Sequence, residues 1–113
     1  MLISLNQLKK VVDFIDDKKG SNTTILDLQG ISIIADYFVI ATGNTTIQTK
    51  AITEYLVEKL PDLGIPVLRK EGLPEALWVL IDCGDLVIHI MTPETRDFYS
   101  LERLWGDARE VIL

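Results

Sequence analysis

Two runs of strand-forming residues, 77–82 and 85–91, constrain the fold of this chain more than any other feature of its sequence. Both are rich in Val, Ile and Leu, and Cys83 and Gly84 lie between them. Because glycine supplies the positive φ that a tight turn needs, the pattern predicts an antiparallel β-hairpin. A symmetric turn at these two residues predicts the cross-strand pairs Asp82 with Asp85, Leu80 with Val87 and Trp78 with His89.

Side chains alternate across a strand, so the predicted hairpin has two distinct faces. One face is entirely aliphatic and suits a core: Leu77, Val79, Ile81, Leu86, Ile88 and Ile90. The other is apolar but mixed in chemistry: Trp78, Leu80, Val87, His89 and Met91. An indole, an imidazole and a thioether together are typical of a recognition surface. Helices over both faces would instead make Trp78 a core residue, and both interpretations stay open.

The first half of the chain carries two capping-box patterns, each of which predicts the start of a helix. Ser4 with Gln7 begins a helix that ends at Gly20, and its predicted inward face is Leu5, Leu8, Val12 and Ile15, with Val11 alongside. Thr45 with Gln48 begins a second helix that runs to about Leu60. Its predicted inward face is Ile47, Ala51, Ile52, Tyr55, Leu56 and Leu60.

Three further segments complete the predicted sheet: residues 24–28, 36–43 and 65–69. The second and third flank a helix, which predicts a right-handed parallel crossover between them. After the hairpin, Thr92 and Pro93 predict a helix start, and a later stripe is interpreted as core: Leu101, Leu104, Trp105 and Ala108. The predicted fold class is α/β, with a mixed β-sheet of about five strands flanked by helices.

Length and charge narrow the class of protein. At 113 residues, the chain is expected to form a single domain over residues 1–113. The net charge of −6 disfavours direct nucleic-acid binding and favours a basic protein partner. One cysteine excludes an intrachain disulfide and suits a reducing compartment. With no membrane-length apolar run and no leader-like N-terminus, a cytoplasmic location is expected.

Candidate chemical groups are few in this sequence. Residues 43–45, Gly-Asn-Thr, lie between a strand and a helix, where a phosphate could bind, but a tight turn with a cap is the better interpretation. Asp82 and Asp85 could form a metal pair, although aspartates are common beside turns. His89 and Cys83 lie on neighbouring strands with no third ligand at metal-site spacing. We therefore expect no enzyme activity, no cofactor and no metal.

A longer ordered pattern begins with residues 36–45, DYFVIATGNT. It continues with Gln48, Glu71-Gly72, Trp78, Asp82, Gly84-Asp85, His89, Arg96, Phe98-Tyr99, Leu101-Glu102 and Leu104-Trp105. In order and spacing, this pattern resembles the ribosomal silencing factor family, also called Iojap or RsfS. The resemblance covers roughly residues 36–108 and is far more specific than any single motif.

The resemblance implies a nucleotidyltransferase-like fold and a homodimer without enzymatic activity. It also implies binding to the large ribosomal subunit through ribosomal protein L-fourteen. Such a factor sterically blocks joining of the small subunit, represses translation and takes part in large-subunit assembly. The implied contact residues are led by Trp78, Leu80 and Tyr99, with His89, Met91 and Arg96 behind them. The lack of transit-peptide character suggests a bacterial member of the family.

The implied fold also raises an alternative, namely a nucleotidyltransferase-fold enzyme or a nucleotide-binding domain. Such enzymes hold two metal ions with closely spaced carboxylates. Here Asp82 and Asp85 flank a turn, and Gly43 is followed by Asn44 rather than serine. We expect the fold without the chemistry, because a fold does not establish a function.

Overall fold

The computed structural model describes residues 2–113 of the chain. The helices are α1 (Leu5–Asp17), α2 (Thr46–Lys59), α3 (Pro93–Tyr99) and α4 (Leu101–Leu104), with a 3₁₀ turn at Leu60–Leu63. The strands are β1 (Ser21–Asp27), β2 (Tyr37–Thr42), β3 (Arg69–Glu71), β4 (Trp78–Asp82), β5 (Leu86–Met91) and β6 (Arg109–Glu110). No helix among these residues is both long and apolar enough to cross a membrane.

The strands form one mixed sheet in the order β3-β4-β5-β2-β1-β6. The central pair, β2 and β5, is parallel, and the other neighbouring pairs are antiparallel. The predicted α/β class with a mixed sheet flanked by helices is confirmed, with six strands rather than about five. The additional strand is β6, which pairs with Leu26 and Asp27 of β1. Two residues are too few to carry a strand pattern, so only the long-range pairing reveals it.

The predicted hairpin is present, but its register differs from the predicted one. Leu80 pairs with His89, and Asp82 pairs with Val87, a shift of two residues. The backbone N–H of Cys83 donates to the carbonyl of Leu86 at 2.8 Å, which centres the turn one residue later than predicted. Gly84, with φ of +85°, occupies the first turn position, which strongly favours glycine. A shift of two keeps the residues of β4 and β5 on their predicted faces.

The two faces of the sheet are covered by different parts of the chain. The aliphatic face of the hairpin packs with α1 and α2 in one cluster that includes Val79, Ile81, Leu86, Ile88 and Ile90. The mixed face belongs to a second cluster, which includes Phe38, Ile40, Val87, Met91 and Leu101, with Trp105 and Ala108 packed against it. This second face is covered by the C-terminal segment 93–108.

The predicted inward faces of the helices are only partly right. Ser4 and Gln7 form the predicted capping box, but α1 buries Leu8, Val11 and Ile15 while Leu5 is exposed. In α2, Ile47 and Ala51 are exposed, whereas Thr49 and Thr53 are buried. Both threonine hydroxyls donate hydrogen bonds, Thr49 to the Ala76 carbonyl at 2.5 Å and Thr53 to the Thr49 carbonyl at 2.7 Å. A buried threonine with a partner is tolerated, so hydropathy alone misplaces the inward face.

The predicted parallel crossover is present, but its two strands are not neighbours. β2 is parallel to β5, and the two antiparallel pairs that follow, β5 with β4 and β4 with β3, leave β3 parallel to β2. The parallel neighbour of β2 is β5, not the strand that follows α2. That strand, β3, begins at Arg69 and lies at the edge of the sheet beside β4. Ile65 is fully buried without belonging to a strand, whereas Leu68 is exposed and its N–H donates to the Asp82 carbonyl at 2.8 Å, so only the end of the predicted strand 65–69 contacts the sheet.

Candidate partner-binding surface

Trp78 lies half-buried at the start of β4, on the mixed face of the sheet. Its indole Nε1 donates a hydrogen bond to Nδ1 of His89 at 3.1 Å. Its ring lies 4.8 Å from the ring of Tyr99, centroid to centroid, at an interplanar angle of 50°. The tryptophan is therefore held from the sheet side by His89 and from the side of α3 by Tyr99.

Around Trp78 the chain exposes a group of large apolar side chains. Leu77 is 51% exposed, Phe98 is 80% exposed and Tyr99 is 53% exposed. We call the five residues Leu77, Trp78, Leu80, Phe98 and Tyr99 the aromatic surface. Phe98 and Tyr99 are consecutive residues whose rings meet edge to face at 5.0 Å. An open depression of about 430 Å³ lies between α3 and β4, and Glu94 and Thr95 line it together with residues of the surface.

The surface continues along β4 on the far side of Trp78. A second depression is lined by Glu71, Gly72, Trp78 and Leu80. Gly72 has φ of +99°, and a Cβ there would collide with the backbone carbonyl of Trp78. Glu71 therefore lies near Trp78, and its carboxylate faces Arg69 at 3.5 Å, while Glu94 lines the first depression. A third depression, near the hairpin turn, adds Ile34 and Phe38 to Leu80.

His89 supports this surface from beneath rather than forming part of it. The side chain is only 3% exposed, and its ring contacts that of Phe38 at 4.6 Å. Burial lowers the pKa of His89 to about 4, so the ring is neutral at neutral pH. Because Nδ1 accepts from Trp78, the proton sits on Nε2, which has no hydrogen-bond partner among residues 2–113.

Met91 and Arg96, two of the implied contact residues, expose little side-chain surface. Met91 has no exposed surface, because β5 lies between β2 and β4 and both of its faces are covered. The Arg96 side chain is 11% exposed and turns inward to form an ion pair with Glu102 at 2.6 Å. His89 and Met91 are buried and Arg96 is partly buried, whereas Trp78, Leu80 and Tyr99 reach the surface. Partner contact through any of these six residues stays a prediction.

Two residues of the aromatic surface were missed by sequence reasoning. The alternation along 77–82 predicts Leu77 on the aliphatic face, but Leu77 precedes β4 and lies outside the sheet. Phe98 appears in the family-like pattern without an assigned contact. Its position beside Tyr99, in a helix with no buried residue, is the signal that identifies it.

The groups considered for catalysis have structural roles in this fold. The Asp82 carboxylate accepts from the Gly84 N–H at 2.9 Å and faces Arg69 at 3.5 Å. Cys83 is buried, and burial together with nearby Asp82 raises the pKa of its thiol to about 12. Within residues 2–113, no group of three or more His, Cys, Asp or Glu residues is arranged to hold a metal ion.

The Gly43-Asn44-Thr45 segment forms the predicted turn and cap. The Asn44 N–H donates to the Gln48 side chain at 2.6 Å, and the Thr45 hydroxyl accepts from the Gln48 N–H at 3.1 Å. The N–H of Gly43 donates to the carbonyl of Met91 at 3.0 Å. These internal bonds occupy the N–H groups of Gly43 and Asn44 that a phosphate would need.

Residues 3–113 match the sequence model of a family described as ribosomal silencing factor during starvation. This chain belongs to that family. A ribosomal silencing factor from Halalkalibacterium halodurans is 44% identical over 106 residues, which is 94% of this chain and 91% of that protein. The family member from Bacillus subtilis is 45% identical over 93 residues, covering 82% of this chain and 79% of its own length.

Solved structures and an organellar relative agree with the family assignment. A crystal structure of a protein from Chromobacterium violaceum superposes with a TM-score of 0.87 at 32% identity, covering 93% of this chain and 88% of that one. A mouse protein named for mitochondrial assembly of the ribosomal large subunit is 42% identical over 73 residues, covering 62% of this chain and 32% of its own length.

Proposed function

We propose that this chain acts in the cytoplasm as a ribosomal silencing factor that binds the large ribosomal subunit through ribosomal protein L-fourteen. Bound there, it sterically blocks the joining of the small subunit and represses translation, and it also takes part in large-subunit assembly. The observation that carries the proposal is the aromatic surface, since Phe98 and Tyr99 stay exposed beside a half-buried Trp78. Tryptophan and tyrosine dominate binding energy when a partner desolvates them.

The charges around the aromatic surface support a basic partner. Glu94 lines the depression between α3 and β4, Glu71 lines the second depression beside Trp78 and also faces Arg69 at 3.5 Å, and the whole chain has a net charge of −6. A partner that places an apolar side chain over Trp78, with lysine or arginine beside it, would complement both features. Ribosomal proteins bind RNA and are commonly basic, so this chemistry suits a protein of the large subunit.

A steric mechanism requires only a well-packed domain of sufficient size. The principal dimensions of the fold are 34 × 32 × 24 Å. Two packed clusters, one on each side of the sheet, make it a rigid body. A body of this size on an intersubunit surface would prevent a second subunit from approaching, without any chemical step.

Replacing Trp78 by alanine tests the proposal. We expect Trp78→Ala to weaken binding to isolated large subunits by roughly 2–4 kcal/mol, about thirty- to a thousandfold, measured by co-sedimentation. Ile47→Ala is the matched control, because Ile47 is a large exposed side chain on α2, on the opposite face of the sheet. Its binding should equal that of the parent.

A second variant separates binding from folding. Tyr99→Ala removes an exposed ring from α3, a helix with no buried residue, and should leave the unfolding midpoint almost unchanged while weakening binding. Circular dichroism and urea unfolding check both variants. If Trp78→Ala and Tyr99→Ala stay folded and still block subunit joining, the contact surface lies elsewhere on the molecule.

The nucleotidyltransferase-like description of the fold is retained within this proposal, without the activity of such enzymes. The Asp82 carboxylate accepts a hydrogen bond from the Gly84 N–H and faces Arg69. The N–H groups of Gly43 and Asn44 already donate hydrogen bonds within the chain. Calorimetric titration with nucleotide and magnesium should give no saturable heat. Clear saturable binding would favour the alternative of a nucleotide-binding enzyme.

We also propose a homodimer, as the family resemblance implies. If the dimer covers Trp78, dimerisation and ribosome binding would compete. Sedimentation velocity of the parent and of Trp78→Ala would then show a weaker dimer for the variant. An unchanged dimer would place the dimer contact on another face.

A further inference from the structure

The short helix α3 presents Phe98 and Tyr99, yet it has no buried residue of its own. A helix of seven residues is far too short to be stable alone. Its N-terminal residue is Pro93, and Ser100 ends it with φ of +49°, so the chain turns sharply after Tyr99. The Tyr99 ring packs against Trp78, but α3 has few other apolar contacts, so polar contacts must help to fix its position.

Arg96, in the middle of α3, makes that connection. Its Nη1 donates to the carbonyl of Asn22 at 2.6 Å and to the hydroxyl of Thr42 at 3.0 Å. Its Nη2 donates to the hydroxyl of Thr24 at 3.2 Å. One side chain thus ties α3 to β1 and to the C-terminal end of β2.

Glu102 in α4 completes the arrangement. Its Oε2 accepts from Nε of Arg96 at 3.0 Å and from Nη2 at 2.6 Å. Burial raises the pKa of Glu102, but the hydrogen bonds and charge of Arg96 more than offset this and hold the pKa below its usual value. The carboxylate is therefore ionised at neutral pH. A planar guanidinium can satisfy all of these acceptors at once, whereas a lysine cannot.

We propose that Arg96 is a positioning residue that sets the Tyr99 ring against Trp78, and so shapes the aromatic surface without touching the partner. Residues three apart in a helix lie on neighbouring positions of its surface, so fixing Arg96 fixes Tyr99 one turn later. The effect on ribosome binding rests on the proposed function. The positioning of the Tyr99 ring by Arg96 involves only residues of this chain, so it can be measured without any partner.

The test uses Arg96→Met, which keeps most of the stem and removes the guanidinium. Arg103→Met is the matched control, since Arg103 is exposed in the adjacent α4 and its loss changes the net charge equally. The geometric measurement is the nuclear Overhauser contact between the Trp78 and Tyr99 rings, now 4.8 Å apart. We expect it to disappear in Arg96→Met and to persist in Arg103→Met.

Binding to isolated large subunits is measured on the same proteins. Arg96→Met should bind about tenfold more weakly than the parent, while Arg103→Met should bind within about twofold of it. Arg96→Lys keeps the positive charge but lacks the planar guanidinium. It should therefore give the same results as Arg96→Met in both measurements. If Arg96→Met does not fold, Glu102→Gln, which leaves the guanidinium without its anionic partner, takes its place in both measurements.

The outcomes separate the two proposals. A retained ring contact overturns the positioning role, and if binding is lost at the same time, Arg96 touches the partner directly. A lost ring contact supports positioning whatever the binding result. If the contact is lost while binding is unchanged, positioning holds and the aromatic surface is not the contact site.

Discussion

At the scale of single residues, the pair Trp78 and His89 links the exposed surface to the interior. The buried imidazole accepts the indole hydrogen bond only while it is neutral. A proton on Nδ1 would place two hydrogen-bond donors, Nδ1–H of His89 and Nε1–H of Trp78, against each other. This unfavourable contact would lie in the interior, because His89 is only 3% exposed. The orientation of Trp78 therefore depends on the protonation state of a residue that is almost fully buried.

The buried His89 predicts a loss of stability in mild acid. Its folded-state pKa is lowered to about 4 by burial, while an unfolded histidine has its ordinary value of 6.5. The unfolded chain therefore binds a proton first, so the stabilising contribution is complete above pH 6.5 and is lost as the pH falls towards 4. We expect the free energy of unfolding to drop by about 2 kcal/mol between pH 7.5 and 5.

Urea unfolding at several pH values measures this loss. The control is His89→Gln, which has no titrating group at this position and should show a much flatter profile over the same range. Parallel profiles for parent and variant would mean that the imidazole is not the source of the pH dependence.

At the scale of elements, both faces of the hairpin of β4 and β5 pack in buried clusters, and only the mixed face also reaches the surface, at Trp78 and Leu80. Its aliphatic side belongs to the cluster that packs with α1 and α2. Its mixed side supports the aromatic surface at Trp78 and Leu80. Substitutions on alternate residues of the same strand should therefore have different consequences.

Ile88→Ala tests the aliphatic side of the hairpin. Ile88 is fully buried and pairs with Val39 on one side and Ile81 on the other. The cavity left by its truncation should cost roughly 2–4 kcal/mol of the free energy of unfolding. Ile47→Ala, at an exposed site, should cost less than about 0.5 kcal/mol. Equal midpoints for the two variants in urea would contradict the assignment of Ile88 to the core.

At the scale of the whole molecule, charge should govern the rate of association. The net charge of −6 attracts a basic partner, and salt screens that attraction. We expect the association rate with the isolated basic partner protein, free of ribosomal RNA, to fall as ionic strength rises. Glu94→Lys, beside Trp78, should slow association more than Glu54→Lys, an equal charge change at an exposed site on α2.

Stopped-flow or surface-based kinetics at several salt concentrations check this expectation. A rate that does not depend on ionic strength would exclude steering by net charge. Equal association rates for Glu94→Lys and Glu54→Lys would show that the attraction is not concentrated near Trp78.

Local patterns in the sequence were sufficient for much of the fold. Alternation along 77–91 separated the two faces of the hairpin, and it survived the change of register because a shift of two preserves the face of each residue. The capping box at Ser4 marked the start of α1. The mixed composition of one hairpin face indicates Trp78 and Leu80 as candidate contact residues, and the family resemblance adds Tyr99. These features depend on residues near one another in the chain.

The tertiary structure decided what depends on distant neighbours. Met91 and His89 are buried because β2 pairs with β5 and the C-terminal segment covers that face, which no spacing within 85–91 reveals. Arg96 turns inward because its acceptors come from residues 22, 24, 42 and 102. A sequence pattern reports which side of a strand or helix a residue occupies. Whether that side is covered, and by which partner, is set by contacts between segments far apart in the chain.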